Sequence, residues 1–150
     1  MPVGEDAAQR RVRRGELADF HVAAQRRRAE QESAKAQVLI DQFVEQATLA
    51  GLPAEELTAR PWSGRGRYRT GVMGWFLRRD GSVGVGRNGS FYVLVVAPVR
   101  FGRLRTVPVA PTPPPLQVGK GARDGEAVDL AELLEMRLHW PGSIPAAGPP

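Results

Sequence analysis

The chain of 150 residues contains no cysteine. Disulfides, thiolate zinc sites and cysteine nucleophiles are therefore excluded. Histidine is nearly absent: His21 and His139 are the only two, and neither has a nucleophile near it in sequence. No cluster of histidines or carboxylates has metal-ligand spacing, so neither a metal nor a catalytic centre is expected. Long apolar runs are missing as well. The longest is Phe91 to Ala97, far short of the roughly 20 residues of a membrane span, and no membrane association is expected. The opening residues, MPVGEDAAQRR, lack the apolar core of a signal peptide, so the expected location is the cytoplasm. Lysine is scarce too. Lys35 and Lys120 are the only lysines among 21 basic residues. Together with abundant alanine, glycine and proline, that bias is what a GC-rich genome gives any protein.

The net charge of +5 is unevenly placed. Residues 1–50 hold eight basic and eight acidic side chains, residues 51–110 hold ten and three, and residues 111–150 hold three and five. The positive charge sits in the middle of the chain, which points to an anionic partner or to a solvated basic face.

After Gly15 neither glycine nor proline appears until Gly51. Residues 5–50 therefore read as one long helix, ended by Gly51 at C′, Leu52 at C″ and Pro53. Ala36, Ile40, Phe43, Val44 and Ala47 form an apolar stripe that should pack on a sheet. A weaker stripe of Leu17, Phe20 and Ala24 lies upstream. Between them, residues 23–37 have no apolar side chain larger than alanine. Residues 1–35 thus read as a polar helical arm, 36–140 as the folded domain and 141–150 as a disordered Pro/Gly tail. Pro53 to Leu57 reads as a helical turn. Residues 66–109 read as an antiparallel meander with turns at Asp80-Gly81 and Asn88-Gly89. Its strands are about 66–79, bent at Gly71 or Gly74, then 82–87, then 91–97, apolar on both sides, with 103–109 at an edge because of Pro108. PTPPP at 111–115 is a stiff connector. A short helix follows, with Asp129 and Glu132 at capping-box spacing, Val128 and Leu133 as a staple, and Leu130, Leu133, Leu134 and Leu138 as its buried face. The expected fold is α+β: a long N-terminal helix on a three- to four-stranded antiparallel β-meander, with a short C-terminal helix. Phe43, Ile40, Val44, Phe76, Val93, Val95, Leu133 and Leu134 are the expected core.

Gly84-Val85-Gly86-Arg87-Asn88-Gly89 matches the dinucleotide fingerprint as text, but a strand follows it where the fingerprint needs a helix. The two strand glycines more simply make room for an aromatic such as Trp75. Val118-Gly119-Lys120-Gly121 lacks phosphate-loop spacing. No cofactor is expected. The densest chemistry is basic. Arg65, Arg67 and Arg69 alternate, which in a strand puts them on one face, and Arg103 and Arg105 repeat the spacing. With Trp62 and Trp75 nearby, such rows could hold a phosphate backbone and stack bases. Otherwise they form a solvated face with arginine stems lying over apolar surface.

The stretch GWFLRRDGSVGVGRNGSFYVL, followed by VGKGARDGEAVDLAELLEMRL, resembles small uncharacterised conserved hypothetical proteins of high-GC Gram-positive (actinobacterial) type. It covers roughly residues 66–138. The resemblance implies a source and an intact fold, and no activity or functional residue. The residues themselves suggest a non-catalytic interaction or adaptor protein, not an enzyme, with the helical arm self-associating or docking on a protein partner. Sequence-independent nucleic-acid binding through the arginine rows is the alternative, and a small-molecule site between helix and sheet is a third.

Overall fold

The structure is a computed structural model that describes residues 6–119 and 127–140. Its elements are α1 (Ala7–Leu49), β1 (Glu55–Pro61), β2 (Tyr68–Phe76), β3 (Val83–Gly86), β4 (Phe91–Val93), β5 (Val95–Val96), a 3₁₀ turn (Gly102–Leu104), β6 (Gln117–Gly119), β7 (Ala127–Asp129) and α2 (Leu130–His139). The fold is α+β, as the sequence predicts.

Helix α1 ends as its sequence requires. Gly51 adopts φ +69°, its N–H donates to the Thr48 carbonyl, and the Leu52 N–H reaches back to Ala47 at 2.9 Å. This double closure satisfies carbonyls that the last turn would leave bare. At the other end the Asp6 carboxylate accepts the Ala8 N–H.

Strands β1 to β4 form an antiparallel meander, and β5 pairs with β1 in parallel, giving the order β4-β3-β2-β1-β5. The two outer strands of this order are consecutive pieces of one segment, Phe91–Val96, separated only by Leu94. The sheet therefore curls until one segment serves both its edges. Curvature comes from β2, where Gly71 takes φ +75° and the register against β1 shifts between Glu56 and Thr58. A glycine bulge of this kind bends the strand and increases its twist.

Curling divides the core in two. Outside the curl, Ala36, Ile40, Phe43 and Ala47 of α1 pack with Trp75, Leu77, Val83, Val85 and Phe91 of the sheet segments and Leu130, Leu133 and Leu134 of α2. Inside it, Leu57, Ala59, Phe76, Tyr92 and Leu94 pack together, with Val72, Val96 and Val109 against them. Both helices thus lie on one face, and the sheet covers its second face by its own curvature. Gly84 and Gly86 serve the inner core. A Cβ on Gly84 would stand 3.1 Å from Leu57 Cδ1, and one on Gly86 would stand 3.2 Å from Tyr92. The aromatic they admit is Tyr92 and not Trp75, which pairs with Val85 and shares its outer face.

Four local expectations are corrected. Residues 55–61 form a strand and not a helical turn, because Leu57 and Ala59 alternate into the inner core while the backbone pairs with β2; pairing overrides the helix propensity of Glu, Leu and Ala. Residues 103–109 form no strand: Phe101 sits at φ +57°, a 3₁₀ turn follows, and the segment's strand-like pairing is limited to one isolated parallel bridge, Arg69 to Thr106. Val93 is 43% exposed and Val95 is half-buried, whereas Leu94 is fully buried, because the segment changes partner from β3 to β1 at that residue. The Asp129 carboxylate does not cap α2 but accepts from the Gln117 side chain across the β6–β7 pair. Val128 and Leu133 do share a cluster. The expected tail, and Lys120-Gly121, lie outside the described residues.

Candidate interaction surfaces

Two surfaces stand out from the packed body. The first is the N-terminal part of α1. Every residue from Ala7 to Gln31 is exposed except half-buried Ala24. From Glu32 onward the helix is tied down. The Glu32 carboxylate accepts the Leu116 N–H at 3.0 Å, Gln37 donates to the Gly89 carbonyl at 2.8 Å, and Ala36 opens the buried stripe. The 25 residues before Glu32 extend for about 37 Å at helical rise. Leu17 and Phe20 stand on this length at 58% and 62% exposure. At about 100° per residue, their stripe lies some 140° round the helix from the buried one. The body that packs on Phe43 is therefore on the wrong side to cover them.

The second surface is a groove of about 420 Å³ between the β1–β2 connection and the loop at 98–104. Pro61, Arg65 and Tyr68 line one side, and Val99, Phe101 and Arg103 line the other. Tyr68 is the anchor. Its ring packs so closely on Gly102 that a Cβ there would stand 2.6 Å from Tyr68 Cε1. Its hydroxyl accepts the Val99 N–H at 3.2 Å. The Arg103 guanidinium donates to the Arg65 carbonyl at 2.5 Å and lies over Gly66, whose φ of +90° and missing Cβ make the space. Phe101 is 63% exposed under the Arg100 guanidinium, 5.1 Å from its ring centre, and Leu104 and Trp62 are 83% and 68% exposed.

The sequence-derived arginine rows do not survive as rows. Arg65 and Arg103 meet at the groove. Arg105 is exposed in the extended chain just beyond. Arg69 is held by Glu56 in a bidentate pair, with one contact of 2.9 Å; this pair, together with the Gly71 N–H, holds the Glu56 carboxyl below its usual range. Arg67 leaves the set entirely. It is half-buried, donates to the Thr58 side chain and to the Thr58 and Gly81 carbonyls, and lies 5.6 Å from the Phe76 ring centre. Burial pulls its pKa down, and its donors are occupied in joining β1 to the β2–β3 turn. Trp75 leaves it too. Only 3% of Trp75 is exposed, its indole N–H donates to the Leu52 carbonyl, and it meets Phe43 edge to face. It has no face to offer a base. The exposed Arg100, Phe101 and Leu104 were missed, although RFGRLR at 100–105 carries a readable signal, basic and apolar residues interleaved between Pro98 and Pro108.

Arg137 was missed as well. It is fully buried on α2, donates to the Phe76 carbonyl at 2.7 Å and to Trp140, and stacks 4.6 Å from the Trp140 ring centre. These contacts bind α2 to the end of β2. His21 lies exposed against Phe20, and His139 faces Glu135 on its own helix. Among the described residues no group of three His, Cys, Asp or Glu could hold a metal, and no helix is long and apolar enough to cross a membrane. No family model, curated protein or solved structure matches the chain at the significance required.

Proposed function

We propose that the protein is a non-catalytic interaction protein that docks on a protein partner through the arm of α1. One observation carries this reading: Leu17 and Phe20 are exposed on a stretch of α1, about 37 Å long, that precedes Glu32 and is exposed along its length except at half-buried Ala24. Leu17, Phe20 and Ala24 have the i, i+3, i+7 spacing of anchors laid into an apolar groove. A second copy is a poor occupant. The same stripe continues into Arg13 and Gln31, so two copies would lack the sustained apolar seam of a coiled coil. The groove must come from the partner. Residues 7–31 carry seven arginines against three acidic residues, so the partner's groove is rimmed with acidic side chains.

The test compares the full chain with Leu17→Ser/Phe20→Ser. Both positions are exposed, so melting should be unchanged. Sedimentation should give a monomer for each. A partner captured by the wild type and reconstituted from purified components should lose at least tenfold affinity with the double variant. A wild-type chain that is dimeric through the arm, or a reconstituted complex indifferent to both serines, overturns the reading.

A further inference from the structure

We infer that the groove between the β1–β2 connection and the 98–104 loop is a binding site for single-stranded nucleic acid. Arg65 and Arg103 would hold the backbone phosphates there, and Trp62 and Phe101 would offer stacking faces to bases. This goes beyond the docking arm and rests on different residues.

Charge is the first argument. Residues 60–69 and 98–106 together hold seven arginines and no acidic residue. The nearest acid in sequence, Glu56, is engaged with Arg69. No carboxylate of the described residues lines the groove. A concave site with cations on both walls and no internal counter-charge selects a polyanion.

The aromatics are the second. Trp62 follows groove-lining Pro61, and Phe101 lines the opposite wall. Both are more than three-fifths exposed. Phe101 is the one non-glycine residue at positive φ among those described. Tyr68, seated on Gly102 and bonded to Val99, holds the loop in that form. The ring is thus displayed by a rigid loop and not left over by a flexible one. Arg100 lies against it, as an arginine does beside a stacked base.

Strandedness is the third. Aromatic faces reach bases only where the bases are unstacked, so the site fits a single strand and not a duplex. An acidic peptide would satisfy the arginines but gain nothing from two displayed rings of this kind.

The test is a titration of the full chain, nuclease-treated, with a fluorescein-labelled oligodeoxythymidylate across a salt series. Micromolar or tighter binding is expected, with quenching of tryptophan emission. Arg65→Ala/Arg103→Ala should weaken it and lower the salt slope by about 1.4, about 0.7 for each phosphate contact of a single strand. Trp62→Ala should weaken it by about tenfold and abolish the quenching, with melting unchanged because the side chain is exposed. It therefore tests the site even if the double arginine variant fails to fold. Leu17→Ser/Phe20→Ser should leave it unchanged, which separates this site from the arm. Absence of binding at low salt, equal affinity for a duplex of the same length, equal competition by polyglutamate, or indifference to Trp62→Ala would each overturn the inference.

Discussion

The Tyr68 hydroxyl engages both polar groups of Val99, accepting its N–H at 3.2 Å and donating to its carbonyl at 3.4 Å. One side chain of β2 thereby closes the backbone of a loop more than thirty residues away. Tyr68→Phe keeps the ring on Gly102 and removes only the hydroxyl. It should cost about 1–2 kcal/mol in denaturant unfolding, since the Val99 N–H loses its partner. Amide exchange at Val99 and Gly102 should accelerate, with exchange in β3 unchanged. Equal protection in both proteins would mean that the loop does not depend on this bond.

Arg67 and Arg137 are structural cations. Each donates to two backbone carbonyls far apart in sequence or at a helix end: Thr58 and Gly81 for one, Phe76 and Trp140 for the other. Arg67→Ala and Arg137→Ala should each lower stability by about 2–4 kcal/mol, measured by urea unfolding. Lysine should rescue little, because one ammonium cannot span the paired acceptors of a guanidinium fork. Full rescue by lysine would show that charge and not geometry matters there.

Phe43→Ala and Val93→Ala separate the observed core from the expected one. Phe43 is 2% exposed and meets Trp75, so its truncation should cost about 3–5 kcal/mol. Val93 is 43% exposed and should cost less than about 1 kcal/mol. Similar melting shifts for the two would contradict the partner change at Leu94.

The Glu56–Arg69 pair sets a pH dependence. The Glu56 carboxyl is held below its unfolded value, so the stability it adds is fully present above the ordinary carboxylate range, about pH 4.3, and is lost as pH falls through the lower folded value. Wild type should melt above Glu56→Gln at pH 7, and the two curves should converge on acidification. A gap that persists unchanged in acid would assign the difference to packing.

Much of this molecule was legible locally. The end of α1 follows from Gly51-Leu52, and both meander turns from Gly81 and Gly89, each at positive φ; the bend of β2 was readable as Gly71 or Gly74, and Gly71 is the one at positive φ. Those are decisions of a few neighbouring residues, governed by which backbone angles a side chain permits. The buried stripe of α1 is equally local, because helical period alone brings Ile40, Phe43 and Ala47 together. The groove was not legible, nor was the fate of its arginines. Alternation puts Arg65, Arg67 and Arg69 on one face only if all three lie in a strand, and β2 begins at Tyr68.

The sequence by itself determined the helices, the hairpin turns and the concentration of arginine between residues 60 and 105. Tertiary structure decided which arginines remain in water, that Leu94 and not Val93 is the covered residue of the 93–96 run, and that Trp75 is core while Trp62 and Phe101 are surface. The physical reason is that local rules act through backbone angles and side-chain period, within a turn or two of the chain. Burial depends on what arrives from across the sheet, and here that was settled when one segment, passing through Leu94, paired with β3 on one side and β1 on the other.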